Sequence, residues 1–177
     1  MKKKSILIAG GTGFIGSHLI HKLSKYNWKI YCIHLNKPIN NKFKKVIYIN
    51  LNIKNKKLLL KKFKYISFDY IINLAGHIDH SARKKTYDSH FVGCKNLIEL
   101  GITKRIKKFI QIGSSVEYGF SRSPINEKRK LNTEKLNSIY GISKLKASEY
   151  LIKKGKQNKL KYIILRPFLI FGPGQND

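Results

Sequence analysis

Acidic side chains are scarce in this chain. Nine aspartates and glutamates stand against 37 lysines and arginines, a formal net charge of +28. Such a charge draws anions and invites a nucleic-acid reading. Arginine, the residue suited to bidentate recognition of phosphates and bases, occurs only at Arg83, Arg105, Arg122, Arg129 and Arg166. The remaining positive charge is lysine, spread along the whole chain rather than gathered in a tail or stripe. That pattern gives salt-sensitive, unspecific attraction to anions, and no specific nucleic-acid partner is expected. Cysteine is rare as well. Cys32 and Cys94 form no CxxC or Cys/His spacing, so two reduced, half-buried thiols are expected rather than a metal site. No apolar run approaches the roughly 18 residues that a membrane span needs, and no membrane partner is expected. The apolar run behind the basic N-terminus breaks at glycines after about five residues, too short for a secretory signal. A cytoplasmic protein is expected.

What is present is a globular composition. Hydrophobic residues make up 42% of 177 residues, enough for one domain with a genuine core. Short β-rich runs fall at 5–9, 29–35, 46–49, 70–74, 109–112 and 162–165. Helical spacing falls at 14–24, 55–64, 82–100 (with Gly101 placed to end it) and 138–154 (ending at Gly155). A turn is expected at Pro38, Asn40 and Asn41, and an irregular charged loop over 121–137. Buried-type strands alternating with helices predict an α/β fold, a doubly wound parallel sheet with helices on both faces.

Three local patterns carry chemistry. Gly10, Gly13 and Gly16 are spaced GxxGxxG between the first strand and the first helix. There they allow a tight turn and close approach of a pyrophosphate to the N–H groups of the helix N-terminus. Tyr140 and Lys144 lie four apart on one helical face. A phenol, with an ordinary pKa near 10, is a poor base at neutral pH, and moving it to about 7 takes roughly 4 kcal/mol. One cation about 4 Å away at an effective dielectric of about 20 supplies that much. Ser114 and Ser115, in IGSSVEYG, follow the fifth strand and hang over the end of the sheet where ligands bind.

In this order the patterns resemble the extended short-chain dehydrogenase/reductase superfamily, the NAD-dependent epimerase/dehydratase family of nucleotide-sugar enzymes. GGTGFIG resembles its cofactor loop, NLAG at Asn73–Gly76 the motif after the fourth strand, and SSVEYG the serine segment. YGISK resembles the Tyr/Lys pair, and LRPFLIFGPGQ the segment that closes the nucleotide half. The resemblance implies a Rossmann-like NAD(P)-binding domain over 1–177, truncated before the substrate-binding lobe, so that FGPGQND leads towards a part not in the chain. It implies catalytic Ser114, Tyr140 and Lys144. Gly10, Gly11, Thr12, Gly13, Phe14, Ile15, Gly16, His34, Asn52, Ile53, Leu74, Ala75 and Gly76 become cofactor-binding residues, joined by Tyr140 and Lys144. The implied function is NAD(P)-dependent epimerisation or reduction of a nucleotide sugar, in surface-polysaccharide sugar synthesis. A homodimer through the helices at 82–100 and 138–154 is also implied. A cofactor-binding module without turnover is the alternative.

The chain departs from the family's pattern at several places. No carboxylate ends the second strand; His34, Leu35, Asn36 and Lys37 stand there. A carboxylate would repel a 2′-phosphate, so the lean is towards NADP. Asn52 replaces an adenine-contacting aspartate, and His90 replaces the first asparagine of an N-x-x-G-T-x-N pattern, here HFVGCKN. Val116 stands where dehydratases carry their acid, and Glu117, one position on, is expected to point elsewhere. That favours epimerase or reductase chemistry, since dehydration needs an acid for the leaving hydroxyl. Leu169 and Phe171 replace an often-seen asparagine and tyrosine in the closing segment. His77, Asp79 and His80 are metal-type side chains in one loop, but the family resembled needs no metal and none is expected.

Overall fold

The computed structural model describes residues 3–35, 43–77, 79, 81–120, 124–129, 131, 134 and 136–175. The expected turn at Pro38, Asn40 and Asn41, the positions Asn36, Lys37 and His80, and parts of the 121–137 loop lie outside the described residues. Six strands form one sheet: β1 (Lys4–Ala9), β2 (Trp28–His34), β3 (Val46–Asn50), β4 (Tyr70–Asn73), β5 (Lys108–Ile112) and β6 (Tyr162–Leu165). Their order is β3-β2-β1-β4-β5-β6, and every pairing is parallel. This is the doubly wound, Rossmann-like order.

The strand pleat sorts the core. In β1, Ile6 and Ile8 join Ile20 of α1 (Phe14–Ser24), with Ile30, Cys32 and Ile72, on one face. Leu7 and Ala9 face the other side, which the buried residues of three helices cover. These are α2 (Lys56–Lys62), α4 (Gly93–Thr103) and α5 (Ile139–Gln157), contributing Leu59, then Leu97 and Ile98, then Ala147 and Leu151. On the α1 side β6 is less covered; Ile163 and Leu165 are 39% and 49% exposed.

The expected helix over 82–100 is three pieces. A short α3 (Arg83–Tyr87) passes into a π-helical stretch, Asp88–Val92, before α4 begins. A wider turn of this kind re-aims side chains within a continuous helix, and here it carries His90. Gly101 does not end α4, nor Gly155 α5; the helices run on to Thr103 and Gln157. Both stops carry the 6→1 bond of a Schellman motif, with a left-handed residue that is not glycine. Arg105 (φ 48°) and Lys159 (φ 53°) take that place, and Ile106 and Leu160 donate their N–H groups back to the carbonyls of Gly101 and Gly155. The two glycines serve packing. A Cβ on Gly101 would lie 2.9 Å from Ile106 Cδ1, and one on Gly155 2.5 Å from the Tyr162 ring.

Candidate active site at the carboxyl edge of the sheet

A parallel sheet puts every strand's carboxyl end on one edge, so the loops after β1, β4, β5 and β6 are neighbours. After β1 the chain turns through Gly10 at φ +78°, where a Cβ would sit 2.7 Å from Ala75 N. The glycine loop and the Leu74–Ala75–Gly76 segment therefore meet backbone to backbone. Ala75 N donates to Asn73 Oδ1 (3.1 Å), which fixes that second segment. At the start of α1, Gly13 is the N-cap without a side-chain cap, and the first turn carries no acidic residue. The first N–H groups of a helix have no partner within it, and beside a glycine-lined turn they make a cradle that fits a pyrophosphate. Thr12, Phe14 and Ile15 line the same turn, partly exposed.

The other expected cofactor residues divide. His34 is buried, its ring edge-on to Tyr48 at 6.1 Å. Asn52 is exposed and uses Oδ1 to accept from Lys54 N (3.0 Å). Ile53 is a core residue, and its carbonyl, with that of Lys54, accepts from Asn96 Nδ2 at 2.9 and 3.0 Å. Asn96 ends the HFVGCKN pattern, and that spacing is the signal that could have marked it as the clamp on this loop.

Tyr140 lies in the first turn of α5, which Ser138 caps by accepting from Gly141 N (3.0 Å). Lys144 Nζ lies 5.6 Å from the centre of the Tyr140 ring and donates to Ile112 O (2.9 Å) at the end of β5. Burial, the largest influence, holds the Lys144 ammonium below the usual lysine range, against the opposing pull of Cys94 and Glu117. Beneath it runs a buried polar line. Gln111 Oε1 accepts from Asn73 Nδ2 (2.9 Å) and from Cys94 Sγ (3.0 Å), while Gln111 Nε2 donates to Ile112 O (2.9 Å). Burial pushes the Cys94 thiol up to about 12, so it stays protonated, as a donor must. Cys94 is fully buried, not half-buried as expected, and so is Cys32.

His90 stands edge-on to Tyr140, ring centres 5.0 Å apart. Its Nε2 lies 3.3 and 3.2 Å from the backbone N and O of His77. The histidine thus braces the loop after β4 against the tyrosine, with an imidazole where the family's pattern has an amide. Among the described residues no group of three or more His, Cys, Asp or Glu side chains is placed to hold a metal ion.

Ser114 leaves β5 in extended conformation and caps a short 3₁₀ turn, Ser115–Tyr118. Its Oγ accepts from Val116 N (3.3 Å), and Glu117 Oε1 accepts from Ser114 N (2.9 Å). Glu117 is fully buried, and its Oε2 accepts from Ser148 Oγ (2.8 Å) and Arg166 Nε (2.7 Å). Its carboxylate is turned into the protein, towards Ser114, Ser148 and Arg166. The S-x-x-E pattern at 114–117 is the signature of such a capping box.

The sheet order, the glycine-lined start of α1 and the loops at the carboxyl edge define the α/β fold class of dinucleotide-binding proteins. More narrowly, the chain belongs to the NAD dependent epimerase/dehydratase family, whose pattern it matches over residues 6–177. It is 32% identical to the dTDP-D-glucose 4,6-dehydratase of Dictyostelium discoideum, over 97% of this chain and 45% of that protein. The UDP-Glc/GlcNAc 4-epimerase of Campylobacter jejuni superposes with a TM-score of 0.82 at 26% identity, over 92% of this chain and 53% of its own. The dTDP-glucose 4,6-dehydratase of Bacillus anthracis, solved with NAD, gives 0.81 at 26% identity, over 97% and 57%. The chain spans about half the length of the curated relatives it matches. No helix among the described residues is long and apolar enough to cross a membrane.

Proposed function

We propose that the chain is the cofactor-binding half of an NAD(P)-dependent epimerase or reductase acting on a nucleotide sugar in the cytoplasm. Surface-polysaccharide synthesis is the destination that the resemblance suggests. The observation that carries the reading is Lys144 beside Tyr140, tied to the end of β5 on the same sheet edge as the glycine loop. When bound, the nicotinamide supplies the hydride acceptor and donor. Tyr140 takes and returns the proton of the reacting sugar hydroxyl, helped by the Lys144 charge, and Ser114 Oγ–H donates to the same oxygen. Glu117, buried and committed to three donors, is no acid for a leaving hydroxyl. That favours epimerase or reductase chemistry over dehydration.

The missing carboxylate at the end of β2 keeps NADP open as cofactor, whereas the Bacillus anthracis relative was solved with NAD. Side-by-side titration with NADH and NADPH decides. The second reading, a cofactor-binding module without turnover, draws on Phe168, Leu169 and Phe171, which are 71%, 83% and 81% exposed in the segment that should meet the sugar. Tyr140→Phe separates the two. We expect NADH binding, followed by fluorescence, to survive while turnover of UDP-glucose with NAD falls by about 10²–10⁴. Equal turnover in Tyr140→Phe and wild type removes the catalytic reading.

A further inference from the structure

We propose that Glu117 is the positioning residue of this site. Its hydrogen bonds reach Ser114, Ser148 and Arg166, and it acts through Ser114 and through α5. The inference rests on Ser114, Tyr140 and Lys144 being the reacting set.

Three donors from three parts of the chain converge on one carboxylate that water does not reach. Oε1 accepts from the backbone N–H of Ser114 at 2.9 Å. Oε2 accepts from Ser148 Oγ of α5 at 2.8 Å and from Arg166 Nε, just past β6, at 2.7 Å. Glu117 is 0% exposed and the Arg166 side chain 13%. Arg166 is held from its other side as well, its Cζ lying 5.5 Å from the centre of the Tyr118 ring. A carboxylate suits this junction because it only accepts, through two oxygens, whereas an amide of the same shape turns one of them into a donor.

The consequences reach the chemistry by two routes. With its N–H taken by Oε1, Ser114 is held at φ −159°, ψ 149°. Its Oγ accepts from Val116 N, leaving the hydroxyl hydrogen to be donated. Without Oε1 the Ser114 backbone is free to turn, and the hydroxyl loses its aim. The second route is α5. Ser148 follows Lys144 by four residues and Tyr140 by eight, so the carboxylate grips the helical face that carries Lys144. Lys144 Nζ meanwhile donates to Ile112 O, two residues before Ser114. The Ser114 segment and α5 are thus tied by two side chains, one of each charge. Backbone bonds from Gly113 N to Leu165 O (2.7 Å) and from Ser115 N to Pro167 O (2.9 Å) join the end of β6 to this junction.

The test compares Glu117→Gln, Glu117→Met and the double variant Glu117→Met/Arg166→Met in this chain. Each is measured for thermal stability, NADH affinity, kcat and KM with NAD and UDP-glucose, and amide hydrogen exchange at Ser114 by ¹⁵N NMR. Glutamine keeps an acceptor for the Ser114 N–H, and methionine does not. Displacement of a reacting group by about 1 Å is worth ~10²-fold in rate. We therefore expect kcat of Glu117→Met to drop by about 30- to 100-fold, with KM and NADH affinity within about twofold of wild type. Glu117→Gln should keep several-fold more of the rate. The double variant, an apolar replacement of a buried ion pair, should regain stability without regaining kcat. Ser114 exchange should be slow in wild type and Glu117→Gln and fast in Glu117→Met. A kcat that simply follows stability through the series, or equal exchange in the Gln and Met variants, overturns the proposal. Ser114→Ala and Tyr140→Phe are run alongside. If both turn over like wild type, the reading of the site fails, whatever Glu117 does. If wild type does not turn over UDP-glucose, the exchange arm still decides for Glu117.

Discussion

Gly10 is the residue on which the proposed cofactor cradle turns. Its φ of +78° is one that a side chain resists, and a Cβ would press on Ala75 N at 2.7 Å, a backbone atom that cannot rotate away. The left-handed conformation alone costs about 1–2 kcal/mol for a residue with a Cβ. Gly10→Ala should therefore lower the melting temperature and also weaken NADH binding. The binding loss should exceed what the unfolded fraction accounts for, because the substitution pushes apart the two loops that meet there. A variant that melts early yet binds with wild-type affinity once folded would show that the two loops do not act together on the cofactor. Gly10, like the Tyr140–Lys144 pair, was legible in the sequence because its meaning is local: a spacing that needs only the adjoining strand or helix to be interpreted. The packing around Ile53 and His34 was not: tertiary structure sets Ile53 under Gly93 and the His34 ring against Tyr48, while their part in holding a cofactor stays a proposal. Glu117 was read only as standing one position from the dehydratase acid. What it does hold depends on Ser148 and Arg166, 31 and 49 residues away in sequence, which no spacing rule connects.

At the scale of elements the six strands fall close to where alternation and β-branched content place them, because a buried parallel strand is a short continuous apolar run. The helix ends were less legible. Glycine after a periodic segment is the usual stop signal, and at Gly101 and Gly155 it misleads, since both lie inside the last turn, where a neighbouring side chain needs the room. The left-handed residues are Arg105 and Lys159 instead. Opposite outcomes follow. Arg105→Gly and Lys159→Gly relieve the left-handed strain and should each stabilise the fold by about 0.5–1 kcal/mol, after allowing for glycine's freedom when unfolded. Gly155→Ala should destabilise by about 1–3 kcal/mol through overpacking against Tyr162. Thermal or urea unfolding measures both signs, and destabilisation by Lys159→Gly would mean that its side chain outweighs the strain of its backbone. The π-helical stretch had no sequence signal at all. A helix that is apolar on one face reads alike with or without one wider turn, yet that turn carries the His90 ring held against Tyr140.

For the whole molecule the decisive quantity is the imbalance of charge. With a net charge of +28, each carboxylate is worth more to the fold than its own bond, because it also offsets repulsion among lysines. Besides Glu117, two more carboxylates join distant elements. Asp69 accepts from Ser5 N (2.8 Å) and pairs with Lys107 (3.0 Å), tying the beginnings of β1, β4 and β5. Glu99 pairs with Lys56 (2.6 Å) and accepts from Tyr150 Oη (2.7 Å), tying α4 to α2 and α5. Burial alone would raise both carboxyls, but the lysines and hydroxyl donors outweigh it and hold Asp69 and Glu99 below the usual carboxylate range. Groups that bind their proton more weakly when folded stabilise the fold fully above their unfolded pKa values, about 4 for Asp and Glu, and lose that contribution as pH falls through the folded values. Acidification also removes the few negative charges that temper the lysines. The melting temperature should therefore fall steeply from about pH 5 downwards. Added salt should recover part of the loss, because it screens the repulsion without restoring either bond. Asp69→Asn should flatten the acid limb while lowering stability at neutral pH. An acid limb just as steep in Asp69→Asn would assign the loss to diffuse repulsion alone and remove Asp69 as one of its causes.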